Sequence, residues 1–252
     1  MNARVAQPSP SFMRTLAILP IKSFGAAKQR LSGLLGGGSR EALAQAMFSD
    51  VLTSLRRVPG IEEIAVITAN HLAEDAARGD GVTLLEDREE AGQSAAAEIG
   101  IRRALDREYE RVLLVPGDTP LLDPVELTAM LDRATDDDTA VTIVPDRHGK
   151  GTNALLLAPP TAIAPSFGPG SLDRHRAAAR AAAVSHRVEA VFSLMLDIDT
   201  PDDLAELSVA LDDRRGQAPM TLGALRQLDR SRVDNSISAH RTPVERALQV
   251  RA

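Results

Sequence analysis

Apolar positions along the chain fall into two rhythms that take turns. TLAILP (15–20) is a continuous apolar run of strand length. SREALAQAMFSDVLTSLRRV (39–58) follows, with Leu43, Met47, Val51 and Leu55 at helical spacing behind Ser39, a favourable N-cap. The same reading predicts strands at 63–68, 82–87, 111–118, 140–146, 153–158 and 191–199. Helices are predicted around 71–78, over 92–106, 123–134 and 171–183, and from near Asp202. Strands that are apolar throughout, alternating with helices, indicate an α/β fold whose mainly parallel sheet is covered on both faces. Residues 1–12 and 213–252 are polar and weakly periodic. They are expected to be extensions flanking a single domain over 13–212.

Composition narrows the function. With 252 residues, 44% of them hydrophobic, the chain is long enough for one sizeable core. A net charge of −6 and 2% aromatic residues argue against nucleic acid as a partner, for lack of a basic surface and of stacking platforms. There is no cysteine, which removes disulfides, thiolate metal sites and cysteine nucleophiles. No apolar run reaches membrane-spanning length, and MNARVAQPSPSF carries no signal-peptide apolar region, so a soluble, cytoplasmic protein with no membrane partner is expected.

In open sheets of this kind, ligands bind beyond the carboxyl ends of the strands. Five polar clusters fall at predicted strand ends. Lys22, Gly25, Lys28 and Arg30 follow the first strand, and Asp118 lies in PGDTPLL. DRHGKGTN leads into Thr152, FGPGS (167–171) precedes a helix, and Asp197 and Asp199 sit in DIDTPDDL. Each has a plain reading. The basic residues could be a solvated loop, Asp118 a turn residue or cap, Asp199 the cap of the helix opened by Pro201, and Ser171 an ordinary N-cap. Two acids on one face of an otherwise apolar strand are costly unless a cation lies between them, which favours a metal at Asp197 and Asp199. Bare glycines ahead of a helix also suit an anion. Together the clusters make a polyphosphate–metal site, although no GxxxxGK[ST] loop or GxGxxG fingerprint is present.

LAILPIKSFGAAKQRL, LLVPGDTPLLDP, DRHGKGTNALLL, FGPGSLDRH and LDIDTPDDL, in this order, closely resemble the guanylyltransferases of deazaflavin coenzyme (F-420) biosynthesis, which use phosphoenolpyruvate or 2-phospho-L-lactate. The resemblance runs from about Thr15 to Leu207. It implies a three-layer α/β/α fold like that of nucleotide-diphospho-sugar transferases. It also implies GMP transfer from GTP to a phospho-acid, with release of pyrophosphate. Carried over, Asp118, Asp197 and Asp199 match the Mg²⁺-binding acids, and Thr152, Gly168 and Ser171 match the positions that hold the phospho-acid. Lys22, Lys28 and Arg30 match the basic loop at the GTP phosphates, with a catalytic role in stabilising charge on pyrophosphate. Lys22, Gly25, Lys28, Gly92 and Ser94 are the expected nucleotide contacts. Ser94 stands in GQSAA where relatives tend to read GLNAA.

The implied chemistry needs no general base, because a phosphate oxygen already ionised at neutral pH is the nucleophile. Catalysis then rests on positioning and on neutralising charge. On this reading FGPGS is a cradle for the acceptor's phosphate or carboxylate. GTP and phosphoenolpyruvate are the expected small-molecule partners, with phospholactate or 3-phosphoglycerate as the alternative acceptor. A homodimer, and passage of the product to the next enzyme of the pathway, are further expectations. A different Mg²⁺-dependent nucleotidyltransferase, or an inactive binding relative, is the more distant alternative. His148, His175 and His186 have no evident partner and are expected at the surface.

Overall fold

A computed structural model of the chain describes residues 13–22, 24, 28–69, 71–77, 82–213 and 216–240. Its centre is a seven-stranded sheet in the order β3-β2-β1-β4-β6-β5-β7. The strands are β1 (Thr15–Pro20), β2 (Ile61–Thr68), β3 (Val82–Glu86), β4 (Arg111–Leu114), β5 (Val141–Pro145), β6 (Thr152–Leu157) and β7 (His186–Val188). The helices are α1 (Gly37–Leu55), α2 (His71–Ala77), α3 (Gln93–Asp106), α4 (Pro124–Asp136), α5 (Ser171–Ala181), α6 (Pro201–Asp213) and α7 (Pro219–His240).

Alternation along β1 divides the core. Leu16 and Ile18 face a cluster built with Ala97, Ile101 and Ala104 of α3 and Leu172 and Ala179 of α5. Ala17 and Leu19 face the opposite cluster, built with α1, α4, α6 and α7. Both faces are therefore covered, and the three-layer α/β/α architecture holds. α3 lies close on β1: a Cβ on Gly100 would stand 2.5 Å from Ile18 Cγ2. β6 is the antiparallel member, paired with both β4 and β5. Its first residues therefore lie at the same edge of the sheet as the carboxyl end of β4.

Several expectations fail. Residues 191–199 are not a strand: Phe192–Leu194 is a 3-10 turn and the rest is irregular. The apolar signal there comes from burial of Val191, Leu194, Leu196 and Ile198 in the core, with no ladder attached. Arg147 N–H donates to Met195 O at 2.9 Å, and Ile198 N–H to Asp118 O at 3.2 Å. Asp197 and Asp199 therefore do not share a strand face. The last strand is instead β7, a three-residue polar segment with too little pattern to be read. α1 begins at Gly37 behind Gly36, without a cap from Ser39.

The expected extension after 213 is also misread, for α7 packs on α1, and Leu225 within it and Ala218 just before it belong to the core. Asp50, buried within α1, accepts hydrogen bonds from Thr221 N–H and Thr221 Oγ1, both at 2.7 Å, and from Met220 N–H at 3.2 Å. An acid from another helix thus satisfies the free amides at the start of α7. No helix among the described residues is long and apolar enough to cross a membrane.

Candidate active site

β1 is flanked by β2 on one side and β4 on the other, so the chain runs away from it in both directions along the sheet. At such a switch point the loops leaving the strands diverge and leave a crevice. A cavity of about 980 Å³ opens there. Lys22, Phe24, Lys28 and Arg30 reach it from the loop after β1, and Asp118 from the loop after β4. Thr152 and Asn153 open β6, Gly168, Gly170 and Ser171 lead into α5, and Asp197 and Asp199 come from the irregular segment before α6.

The carboxylates surround a buried ammonium. Lys28 Nζ, whose side chain is 5% exposed, pairs with Asp118 Oδ2 and lies 3.1 Å from Asp199 Oδ1. Burial works against its charge, but Asp118 and Asp199 outweigh it and hold its pKa above the ordinary lysine value. Lys28 itself has a left-handed backbone (φ 57), uncommon for a residue with a side chain. Asp197 is pushed up from the usual carboxylate range by burial and then by the charge of Asp118, while a 3.2 Å hydrogen bond from Asn153 Nδ2 opposes the rise. Asn153 Nδ2 also donates to Leu194 O at 2.8 Å.

The cap readings of two acids fail, although Asp118 does lie in a turn. Asp123, not Asp118, caps α4, accepting from Val125 N–H at 2.8 Å. At α6 the cap is an exchange between Thr200 and Asp203. Thr200 Oγ1 accepts from Asp203 N–H at 3.3 Å, and Asp203 Oδ2 accepts from Thr200 N–H at 2.6 Å and from Thr200 Oγ1 at 2.8 Å. The same oxygen accepts from Asp199 N–H at 3.0 Å, and Asp203 Oδ1 lies 2.5 Å from Arg147 Nη2. Asp203 thereby fixes the backbone that presents Asp199.

Among the described residues, no three His, Asp or Glu side chains are drawn together in a chelating arrangement. The donor chemistry nevertheless fits Mg²⁺. The three acids offer only hard oxygen ligands, and Asp118 Oδ1 is buried with no hydrogen-bond partner.

The FGPGS turn is held from behind. Arg174 donates to Pro169 O at 2.5 Å, to Ser166 O and Phe167 O at 3.0 Å, and to Ser166 Oγ at 2.8 Å. Gly168 (φ +104) and Gly170 (φ +73) take backbone angles that side chains disfavour. Gly170 is the N-cap of α5 and makes no side-chain bond, so Ser171 is the first helical residue and not the cap. Two of the amides here are already engaged. Ser171 N–H donates to Gly168 O at 3.0 Å, and Leu172 N–H to Lys150 O at 3.3 Å. The Ser171 hydroxyl is buried and without a partner.

The remaining expected residues divide. Lys22, Arg30 and Gly92 line the cavity, while Gly25 lies outside the described residues. Ser94 is not in the wall; its Oγ accepts Phe167 N–H at 2.9 Å and so tethers the FGPGS turn to α3. Gln93, its neighbour, does line the cavity. Sequence reasoning missed Asn153, Arg147 and Asp203, whose roles depend on partners distant in the chain.

His175 is the largest miss, being fully buried and not at the surface. Its Nδ1 is 3.0 Å from Thr152 Oγ1, and its Nε2 accepts Ser166 N–H at 2.8 Å. Burial, and then the charge of Arg174, push its pKa down to about 4. Its position one turn beyond Ser171, on the inner side of α5, was the available signal.

A switch-point cavity lined by acids and a basic loop, under a three-layer α/β/α sheet, defines the nucleotidyltransferase class, and solved structures agree on the fold. A protein from Desulfovibrio desulfuricans G20 described as a nucleotide-diphospho-sugar transferase superposes with a TM-score of 0.70 at 17% identity, covering 86% of this chain and 95% of its own. A nucleotidyl transferase from Methanothermobacter thermautotrophicus gives a TM-score of 0.54 at 20% identity, with 80% and 99% covered.

Residues 15–244 match the family described as "Guanylyl transferase CofC like", and the chain belongs to that family. The phosphoenolpyruvate guanylyltransferase of Conexibacter woesei is 47% identical over 223 residues, 88% of this chain and all of its own. The 2-phospho-L-lactate guanylyltransferase of Methanothermobacter thermautotrophicus is 34% identical over 198 residues, covering 77% and 84%.

Proposed function

We propose that this protein transfers a guanylyl group from GTP to the phosphate of phosphoenolpyruvate. A phosphate oxygen of the acceptor attacks the α-phosphorus of GTP. The bond from that phosphorus to its β-bridging oxygen breaks, and pyrophosphate leaves with the electron pair. The product joins enolpyruvate to guanosine through a diphosphate, as coenzyme F-420 biosynthesis requires. The observation that carries the reading is that one cavity gathers Asp118, Asp197 and Asp199, the basic side chains of Lys22, Lys28 and Arg30, and a buried hydroxyl at Ser171 that lacks a partner.

Each group has work to do in such a transfer. Thr152, Gly168 and Ser171 hold the acceptor, with the Ser171 hydroxyl donating to an anionic oxygen. Lys22, Lys28 and Arg30 stabilise charge moving onto pyrophosphate, and with Gly92 and Gln93 they border the nucleotide. Asp118, Asp197 and Asp199 would hold Mg²⁺, whose chemistry is to neutralise charge between the phosphates of the two substrates. Phospholactate is the second reading, favoured by the 34% identical relative named for it. Both acids carry a phosphate and a carboxylate on one carbon, and a hydrophobic pocket separates such small differences by only about 1–3 kcal/mol.

The test is pyrophosphate release with GTP and each of phosphoenolpyruvate, phospholactate and 3-phosphoglycerate. Turnover should be greatest with phosphoenolpyruvate, vanish with EDTA, return with Mg²⁺, and be lost in Asp118→Ala. A larger kcat/KM for phospholactate would overturn the acceptor, and full activity of Asp118→Ala would remove that residue from the metal site.

A further inference from the structure

Behind the acceptor side of the cavity, His175 connects two elements that the proposed chemistry uses separately. It is fully buried and does not line the cavity. Its Nε2 faces the backbone N–H of Ser166 at 2.8 Å. An amide N–H can only donate, so Nε2 carries a lone pair and the ring proton resides on Nδ1. That proton points at Thr152 Oγ1, 3.0 Å away, so the threonine oxygen is the acceptor in this bond. Having accepted there, the Thr152 hydroxyl has its own hydrogen left to donate, and Thr152 is in the cavity wall.

The environment keeps this arrangement in one protonation state. The ring is closed off from water, Phe167 packs edge-on against it with centroids 5.3 Å apart, and the charged neighbour is the Arg174 guanidinium. A second proton on the ring would set two donors, Nε2–H and Ser166 N–H, against each other. Ser166 is in turn held by Arg174 through its side chain and carbonyl, so the imidazole joins the start of β6 to the turn that carries Gly168 and Ser171.

We infer that His175 is a positioning residue for the acceptor: as the Nδ1–H tautomer it orients the Thr152 hydroxyl to donate to an anionic oxygen of the phospho-acid, and it locks the FGPGS turn at matching height. This rests on the proposed binding of the acceptor at Thr152. The side chain acts through Thr152 and Ser166 and touches no substrate.

Two substitutions separate the halves of the device. His175→Asn keeps an amide donor near the Nδ1 position and loses the Nε2 acceptor. His175→Gln can offer an oxygen near the Nε2 position and leaves no donor facing Thr152. The readout is the KM of each substrate, with folding followed by Tm.

Thr152→Val and His175→Gln should each raise the KM for phosphoenolpyruvate on the order of tenfold or more. The KM for GTP should stay within about twofold. The double variant should be no worse than Thr152→Val alone, because both remove the same donated bond. His175→Asn, which restores a donor facing Thr152 but gives up the bond from Ser166 N–H, should recover only part of the acceptor KM. An unchanged acceptor KM in Thr152→Val would overturn the placement of the acceptor, and this inference with it. A raised KM in Thr152→Val with none in folded His175→Gln would overturn the inference and leave that placement standing. Independently of any variant, long-range ¹⁵N histidine spectra of the full-length protein at neutral pH should report His175 as Nδ1–H. An Nε2–H tautomer or an imidazolium there would overturn it.

Discussion

Replacing Ser171 with alanine should improve the fold while damaging the site. Ser171 is 1% exposed, its N–H already donates to Gly168 O at 3.0 Å, and its Oγ finds no partner. A buried hydroxyl left unpaired costs about 1–3 kcal/mol. At a helical position alanine is also preferred to serine by up to about 0.5 kcal/mol. The void left by one oxygen takes back part of that gain. The free enzyme should therefore gain about 1 kcal/mol, which for a chain of this size raises Tm by about 2–4 °C.

Binding moves the other way. A hydroxyl donating to a charged oxygen contributes about 1.5–3 kcal/mol, so the acceptor KM should rise roughly 10- to 150-fold while that of GTP holds. Thermal unfolding by circular dichroism and initial rates of pyrophosphate release on one preparation provide both numbers. A fall in Tm of several degrees with an unchanged acceptor KM would refute the reasoning, since it would make the hydroxyl structural.

Asp50→Ala should strand the amides of Met220 and Thr221 and the Thr221 hydroxyl; loss of such a cap and its buried bonds costs about 2–4 kcal/mol, lowering Tm by roughly 4–16 °C. A Tm within about a degree of the parent would show that α7 does not depend on this tether. Truncation after Asp213 should likewise destabilise the protein, as scanning calorimetry would report, because Ala218 and Leu225 belong to the core. Stability should also fall in acid through His175. With a folded pKa of about 4 against the ordinary histidine value of 6.5, the unfolded chain takes up the proton first as pH drops. The native state is fully favoured above pH ~6.5 and loses up to about 3 kcal/mol by pH ~4. Urea titrations across that range should show the loss, and a folded His175→Gln should show a smaller slope. Asp203→Ala should free the amides of Asp199 and Thr200 and leave Arg147 with Glu206 alone of its two acidic partners, lowering kcat as Asp199 loses its fixed backbone; an unaltered kcat would contradict that role.

What the sequence determined by itself was everything carried by short-range pattern. Continuous apolar runs placed β1, β2, β4, β5 and β6, helical spacing placed α1, α3 and α4, and the polar loops between them marked where a ligand would lie. The motifs were legible because each is contiguous: PGD carries Asp118, GTN carries Thr152, and FGPGS carries Gly168 and Ser171. Tertiary structure decided matters that depend on residues far apart in the chain. Lys28 meets Asp118 across 90 positions and Asp199 across 171, so neither periodicity nor spacing predicts that an ammonium would sit between those acids. Asp50 meets Thr221 across 171 positions, and that bond turned an apparent appendage into part of the domain. The apolar 191–199 segment read as a strand because burial and pairing leave the same trace in sequence, and only the neighbours distinguish them. His175 looked like a surface histidine within DRHRAAAR. Whether a polar side chain is buried depends on what is packed over it, and Thr152, Ser166 and Phe167 take their places around the imidazole only once the sheet, the turn and α5 have come together.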